Sequence, residues 1–213
     1  MKKCLLLDHD GVLVDTEPWY FAAGERALAD IGVVLDRDVY LTGMSEGRGT
    51  WAQAREAGVD EETIDRQRAA RDAYYQEYLR TERIEIAGVV EALADLRPHV
   101  RMAIVTTAKR TDFDLIHRGR SIVPFMEFVL VREDYRLAKP HPEPYLTGLA
   151  RLGATRAETM VVEDSARGLE SAVAAGIDCA VVHNDFTSTQ DLSTATHRIA
   201  ALSELLDLVL ATP

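Results

Sequence analysis

KKCLLLDHDGVLVD, residues 2–15, is the stretch on which the reading of the whole chain turns. Leu5-Leu6-Leu7 is a short continuous apolar run, the pattern of a strand buried on both faces. It runs directly into Asp8 and Asp10. Two carboxylates that close repel each other, and a strand end partly strips them of water. Something elsewhere in the chain must offset their charge.

Similar runs recur: MAIVTT (102–107), FVLV (128–131), MVVED (160–164) and CAVVH (179–183). Between them lie helical patterns, VVEALADL (89–96), PYLTGLARLG (144–153) and ARGLESAVAAG (166–176). Gly153 and Gly176 follow the last periodic residues, where helix C-terminal caps belong. Strand and helix alternating in this way predict an α/β fold with a Rossmann-like, doubly wound parallel sheet. Residues 16–84 interrupt the alternation. They hold no convincing strand and read as helices: PWYFAAGERALADIG, EGRGTWAQAREAG and a charged stretch from Glu61 to Arg83. The predicted organisation is an α/β core of residues 1–15 and 85–213 with an inserted helical cap of residues 16–84, linked near Val14–Thr16 and Ile84–Gly88. FTSTQDLSTAT (186–196) reads as a surface loop.

The bulk numbers bound the function. The chain has 213 residues, 47% of them hydrophobic and 28% charged, an ordinary globular composition. A formal net charge of -11 argues against nucleic acid or an anionic membrane as partner, since both need clustered Lys and Arg. It leaves room for a small anionic substrate if a metal or a few local cations reverse the sign. Cys4 and Cys179 sit in apolar runs and are expected to be buried free thiols. The first apolar run is too short for a signal peptide or a membrane span, so the expectation is a cytoplasmic protein, monomeric or weakly dimeric.

Asp8 and Asp10, Thr106, Lys139, and Glu163-Asp164 all fall at or just after the predicted strand ends. That edge of an open parallel sheet is where ligands bind. Asp8, Asp10 and Asp164 form a set of hard oxygen donors suited to Mg²⁺. A lone Asp after a strand is ordinarily a cap or turn residue. Asp-x-Asp-Gly with a second acidic pair at another strand end is much harder to explain that way. Thr106 before a helix starting near Ala108 suits either an N-cap or a phosphate oxygen. Lys139, in LAKPHPEPY, would neutralise charge on a nucleophile and a phosphate. His9 is placed by strand alternation on the side away from the aspartates, and His141 stands alone in a Pro-rich loop, so neither is a candidate.

These residues resemble the haloacid dehalogenase superfamily, in its β-phosphoglucomutase-like phosphatase branch. Its four motifs appear in order as DHDGVLVDTE (8–17), AIVTT (103–107), AKPHPEPY (138–145) and VVEDSARGLESAVAAG (161–176), so the resemblance covers nearly the whole chain. It implies an Mg²⁺-dependent phosphatase acting on a small phosphorylated metabolite such as a sugar phosphate. Asp8 would be the nucleophile forming an aspartyl-phosphate, and Asp10 the general acid and base. The metal would be held by the Asp8 side chain, the Asp10 main-chain carbonyl and Asp164, supported by Glu163. Thr106 and Lys139 would bind the transferring phosphoryl group, and Gly11 would let the backbone turn closely beneath it. Substrate contacts would fall to Thr16, Arg48, Thr107 and Lys109, with Glu17, Trp19 and Tyr20 as further cap candidates.

Departures from the family narrow the choice. True haloacid dehalogenases lack an acid at the Asp10 position. Phosphonatases use a cap lysine, and residues 16–84 contain none. An intramolecular phosphomutase of the β-phosphoglucomutase type is the alternative. Mutases of this branch place a His shortly after the first motif, where this chain has Tyr20, and also use a cap Lys. Hydrolysis is therefore favoured. A receiver-like signalling module would be much shorter and lack the helical insertion.

Overall fold

The computed structural model describes residues 2–45 and 48–211. Six parallel strands form one sheet: β1 Cys4–Leu7, β2 Arg101–Val105, β3 Val129–Leu130, β4 Thr159–Glu163, β5 Asp178–Val182 and β6 His197–Ile199, in the order β3-β2-β1-β4-β5-β6. β1 is central, with Leu5 level with Met102 on one side and with Met160 on the other. The sheet grows outward in opposite directions from the β1–β4 boundary. Such a switch point opens a crevice beyond the strand carboxyl ends.

The predicted doubly wound α/β core is present, because the apolar runs have no polar face to offer water. Leu5, Leu6 and Leu7 are all fully buried. Leu6, Ala103, Val105, Val161, Cys179 and Val181 pack with Tyr145, Leu149 and Leu152 of α7 (Glu143–Leu152) and with Leu169 and Ala172 of α8 (Ala166–Ala175). The alternate residues Leu7, Met102, Ile104, Met160 and Val162 are equally buried, so the opposite face is covered too. Cys4 and Cys179 are buried free thiols. Gly153 and Gly176 end their helices at φ 61° and 68°, the left-handed cap conformation that glycine adopts without cost. β6 and the short C-terminal helix Leu205–Leu210 were not anticipated from the sequence.

By its internal packing the chain divides into residues 1–15 with 85–213, and residues 16–84. The second unit is helical: α1 Glu17–Ala29, α2 Arg37–Ser45, α3 Trp51–Glu56 and α4 Glu61–Thr81. Glu46 and Gly47, at the start of the predicted EGRGTWAQAREAG helix, lie outside the described residues. Asp60 starts α4 by accepting from the Thr63 N–H at 2.8 Å, an N-cap. Ala23, Ala27 and Leu28 of α1 and Ile64, Tyr75 and Leu79 of α4 form its buried stripe. Tyr20 meets Tyr75 edge to face at 5.1 Å, and Arg71, almost fully buried, lies 4.4 Å over the Tyr20 ring. At the core end of this segment, Val14 bridges both Asp10 and Glu85, which brings the two chain crossings together.

Among the described residues no helix is long and apolar enough to cross a membrane.

Candidate active site

β1 ends at Leu7, and the Asp8 N–H still donates to the Val162 carbonyl of β4 at 2.8 Å. The ladder therefore fixes Asp8 at the switch point. The chain then turns tightly, with the Leu13 N–H donating to the His9 carbonyl at 2.8 Å. Gly11 takes φ 75° in this turn. A Cβ there would stand 2.0 Å from Asp164 Oδ2 and 2.5 Å from Asn184 Nδ2, so only glycine fits.

Lys139 organises the carboxylates. Its Nζ donates to Asp8 Oδ1 at 2.6 Å, to Glu163 Oε1 at 2.7 Å and to the Val105 carbonyl at 2.9 Å. These use all three ammonium donors. The side chain is 5% exposed, which makes it the buried cation that the acidic pair in the opening stretch requires. Burial acts to lower its pKa, but the Asp8 and Glu163 carboxylates together hold it above the ordinary lysine value. Arg167 of α8 bonds the Lys139 carbonyl, and Ser171 donates to the His141 carbonyl at 2.8 Å, so α8 holds the loop that carries Lys139.

Glu163 is fully buried and its two oxygens are taken by protein donors. Oε1 accepts from Lys139 and the Tyr145 hydroxyl, and Oε2 from the Asp164 N–H and Ser165 Oγ, both at 3.2 Å. A Cβ on Gly168 would fall 1.8 Å from this carboxylate, so α8 needs glycine there. Glu163 thus sits as a support for its neighbours. Asp164 accepts from Asn184 Nδ2 at Oδ2, 2.7 Å away, and its main-chain carbonyl accepts from Thr187 Oγ1 at 2.7 Å.

Asp8, Glu163 and Asp164 each present an oxygen within 4.8 Å of the others, a group able to hold a metal ion. The donors are hard oxygens, the set that divalent Mg²⁺-like ions prefer. Burial, then the Glu163 charge, pushes Asp8 up to about 7 despite Lys139. Negative charge is in excess here, and a dication would offset it.

Asp10 lies beside this group with its side chain 19% exposed. Thr106 Oγ1 donates to Asp10 Oδ2 at 3.3 Å and accepts from the Ala108 N–H at 2.9 Å. The hydroxyl therefore serves the turn before α6 (Arg110–Ile116) and reaches Asp10 at once. Thr106 is fully buried, and Tyr135 donates to its carbonyl at 2.7 Å. Asp8, Asp10, Thr106, Lys139, Glu163 and Asp164 thus come together as one cluster. Thr107 and Lys109 lie exposed on the following loop; in the helical unit, Thr16 is buried and Arg48 exposed.

Two sequence readings are corrected. His9 packs against Phe113 and His117, yet its ring also comes near Asp10. Strand alternation stops at Leu7, and His9 Nδ1 lies 3.4 Å from Asp10 Oδ1 while Nε2 lies 2.9 Å from His117 Nε2. The stretch 186–196 is not all surface loop, since Phe186 and Thr187 are buried and Thr187 grips Asp164. Asn184, Tyr145 and Gly168 join the site without a spacing signal of their own. The Gly/Ala-rich character of the Glu163-Asp164 segment was the one signal that pointed toward Gly168.

Comparison with known proteins agrees with this architecture. The profile of the family described as "Haloacid dehalogenase-like hydrolase" matches residues 5–182. "Phosphorylated carbohydrates phosphatase" of Thermotoga maritima is 29% identical over 190 residues, covering 85% of this chain and 86% of its own. "Fructose-1-phosphate phosphatase YqaB" of Escherichia coli is 26% identical over 181 residues, covering 82% and 93%. The crystal structure of CbbY from Rhodobacter sphaeroides in complex with phosphate superposes with a TM-score of 0.80 at 23% identity, covering 96% of each chain, and so shares the fold. With a profile match running from the first strand to the fifth over this shared fold, the chain is an enzyme that belongs to the haloacid dehalogenase-like hydrolases.

Proposed function

We propose that the chain is an Mg²⁺-dependent phosphatase of small phosphorylated carbohydrates, working through an aspartyl-phosphate on Asp8. The observation that carries this reading is the buried Asp8 carboxylate, held by Lys139 at 2.6 Å beside the Glu163 and Asp164 carboxylates. Such a group is pre-oriented and poorly solvated, as a nucleophile toward phosphorus should be. The names of the Thermotoga and Escherichia relatives supply the substrate class.

In the first step an Asp8 oxygen attacks phosphorus and the bond to the sugar oxygen breaks. Asp10 gives its proton to the departing alkoxide. In the second step water attacks the phosphorus of the acyl phosphate, its proton passes to Asp10, and inorganic phosphate and free Asp8 are released. Lys139 and Thr106 stabilise charge on the transferring group; phosphoryl transfer depends on positioning and charge neutralisation more than on covalent chemistry. Asp8, the Asp10 main-chain carbonyl and Asp164 would hold Mg²⁺, which supplies positive charge to the phosphoryl oxygens. Glu163 keeps Lys139 and Asp164 in place. The helical unit, residues 16–84, is assigned the role of a cap that selects substrate. Discrimination among sugar phosphates is assigned to Thr16 and Arg48 there, and to Thr107 and Lys109 in the core.

The test is a panel of phosphorylated sugars and p-nitrophenyl phosphate, scored by released phosphate. Turnover is expected with Mg²⁺, and is lost with EDTA and in Asp8→Asn. Conversion of a sugar phosphate into its isomer without phosphate release would overturn hydrolysis.

A further inference from the structure

We infer that Asn184 sets how Asp164 meets a cation: by engaging one carboxylate oxygen it makes Asp164 a one-oxygen ligand, which favours Mg²⁺ over Ca²⁺. The inference rests on the reading of Asp164 as a metal ligand given above.

Asn184 follows β5 and reaches back to the acidic cluster. Its Nδ2 donates to Asp164 Oδ2 at 2.7 Å. Its own Oδ1 accepts from the Phe186 N–H at 2.9 Å. That second bond decides which end of the amide is which, so the NH₂ group faces the carboxylate. Three residues after Asn184, buried Thr187 donates to the Asp164 main-chain carbonyl at 2.7 Å. One loop therefore grips both the side chain and the backbone of Asp164. On its other side, Oδ2 lies so close to Gly11 that a Cβ there would be 2.0 Å away. The carboxylate has little freedom to swing.

Ca²⁺ takes carboxylates through one or both oxygens in a wide, adaptable shell. Mg²⁺ is smaller and demands near-octahedral geometry, in which a carboxylate supplies one oxygen. A donor fixed on Oδ2 competes for the electron density that a two-oxygen contact needs. It costs a one-oxygen contact through Oδ1 far less, because the amide is neutral and leaves the net charge of Asp164 intact. Asn184 is thus a positioning residue that acts through Asp164.

The test measures binding of Mg²⁺ and of Ca²⁺ to the full-length, metal-free protein by calorimetry, with no substrate present. In Asn184→Ala, Mg²⁺ affinity is expected to fall by about tenfold or more, the usual cost of losing a partner behind a ligand. Ca²⁺ affinity is expected to hold or rise, so the ratio of the two falls. Asn184→Leu also removes the donor and adds no charge or oxygen ligand, and it is expected to move the ratio the same way. An unchanged ratio in both variants, or equal losses for both ions, overturns the inference. Asp164→Ala separates the two levels. If it retains wild-type Mg²⁺ binding, the reading of Asp164 as a ligand fails; if it loses Mg²⁺ while the ratio at Asn184 stays fixed, only the role of Asn184 fails.

Discussion

Lys139 is the residue that lets four acidic side chains share one crevice. It bonds Asp8 and Glu163 directly, and both partners are buried with it. Removing one member of a buried charge pair leaves the other charge uncompensated, which typically costs about 3–5 kcal/mol. Lys139→Met is therefore expected to lose stability of about that size in metal-free protein above neutral pH, read from denaturant midpoints. A variant as stable as wild type would mean that the carboxylates do not depend on Lys139. His117 gives a second prediction at this scale. Burial, then the nearby His9, pushes it down to about 3. Its ordinary value is 6.5, so the unfolded chain binds a proton there that the folded chain refuses. The unfolded state holds more protons between these values, so stability rises with pH across that window and is lost as pH falls through it. His117→Gln, which has no such proton to gain, is expected to show a smaller drop in thermal midpoint on going from neutral pH toward pH 4. An unchanged pH profile would remove His117 from the acid response.

At the scale of elements, α8 carries the most information. Ser165 accepts from the Gly168 N–H as its N-cap and also donates to Glu163, and Gly168 gives the Glu163 carboxylate its room. Helix propensity alone would have Gly168→Ala stabilise by about 1 kcal/mol. The 1.8 Å clash predicts the reverse, a loss of about 1–3 kcal/mol as in overpacked cores, with Glu163 displaced. Gly153→Ala at a left-handed cap is expected to cost about 1–2 kcal/mol from backbone strain alone, with no clash. Urea unfolding of the two variants decides: a neutral Gly168→Ala would contradict the packing. The elements legible in sequence were those with strong periodicity. The helical pattern at 89–96 coincides with the helix Val89–Leu96, and the runs at 4–8, 102–107, 160–164 and 179–183 form β1, β2, β4 and β5 within a residue or two. β6 has three residues and was missed because so short a stretch carries no alternation. The cluster itself was legible because each member follows an apolar run. Asn184 and His9 were not, because their contacts arise in loops, where spacing predicts no direction.

At the scale of the molecule, one unit is helical and the other holds the sheet and the acidic cluster. The segment 16–84 leaves and rejoins the core next to the Val14–Glu85 bridge. Joining Asp15 to Glu85 through a short Gly/Ser linker should leave a core that unfolds cooperatively, since every strand and the whole Lys139 cluster lie outside the segment. The shortened chain is expected to retain turnover of p-nitrophenyl phosphate while its preference among sugar phosphates, measured as ratios of kcat/KM, collapses toward unity. Full retention of that preference would remove residues 16–84 from substrate selection.

Uptake of the phosphoryl group by Asp8 leaves an acyl phosphate that can be trapped chemically. The enzyme is quenched in acid during turnover, reduced with borohydride, and the peptide containing residues 2–15 is sequenced by mass spectrometry. An aspartyl-phosphate at Asp8 is converted to homoserine at that position, in wild type and not in Asp8→Asn. Absence of homoserine at position 8, together with phosphate release by Asp8→Asn at the wild-type rate, would exclude Asp8 as the nucleophile.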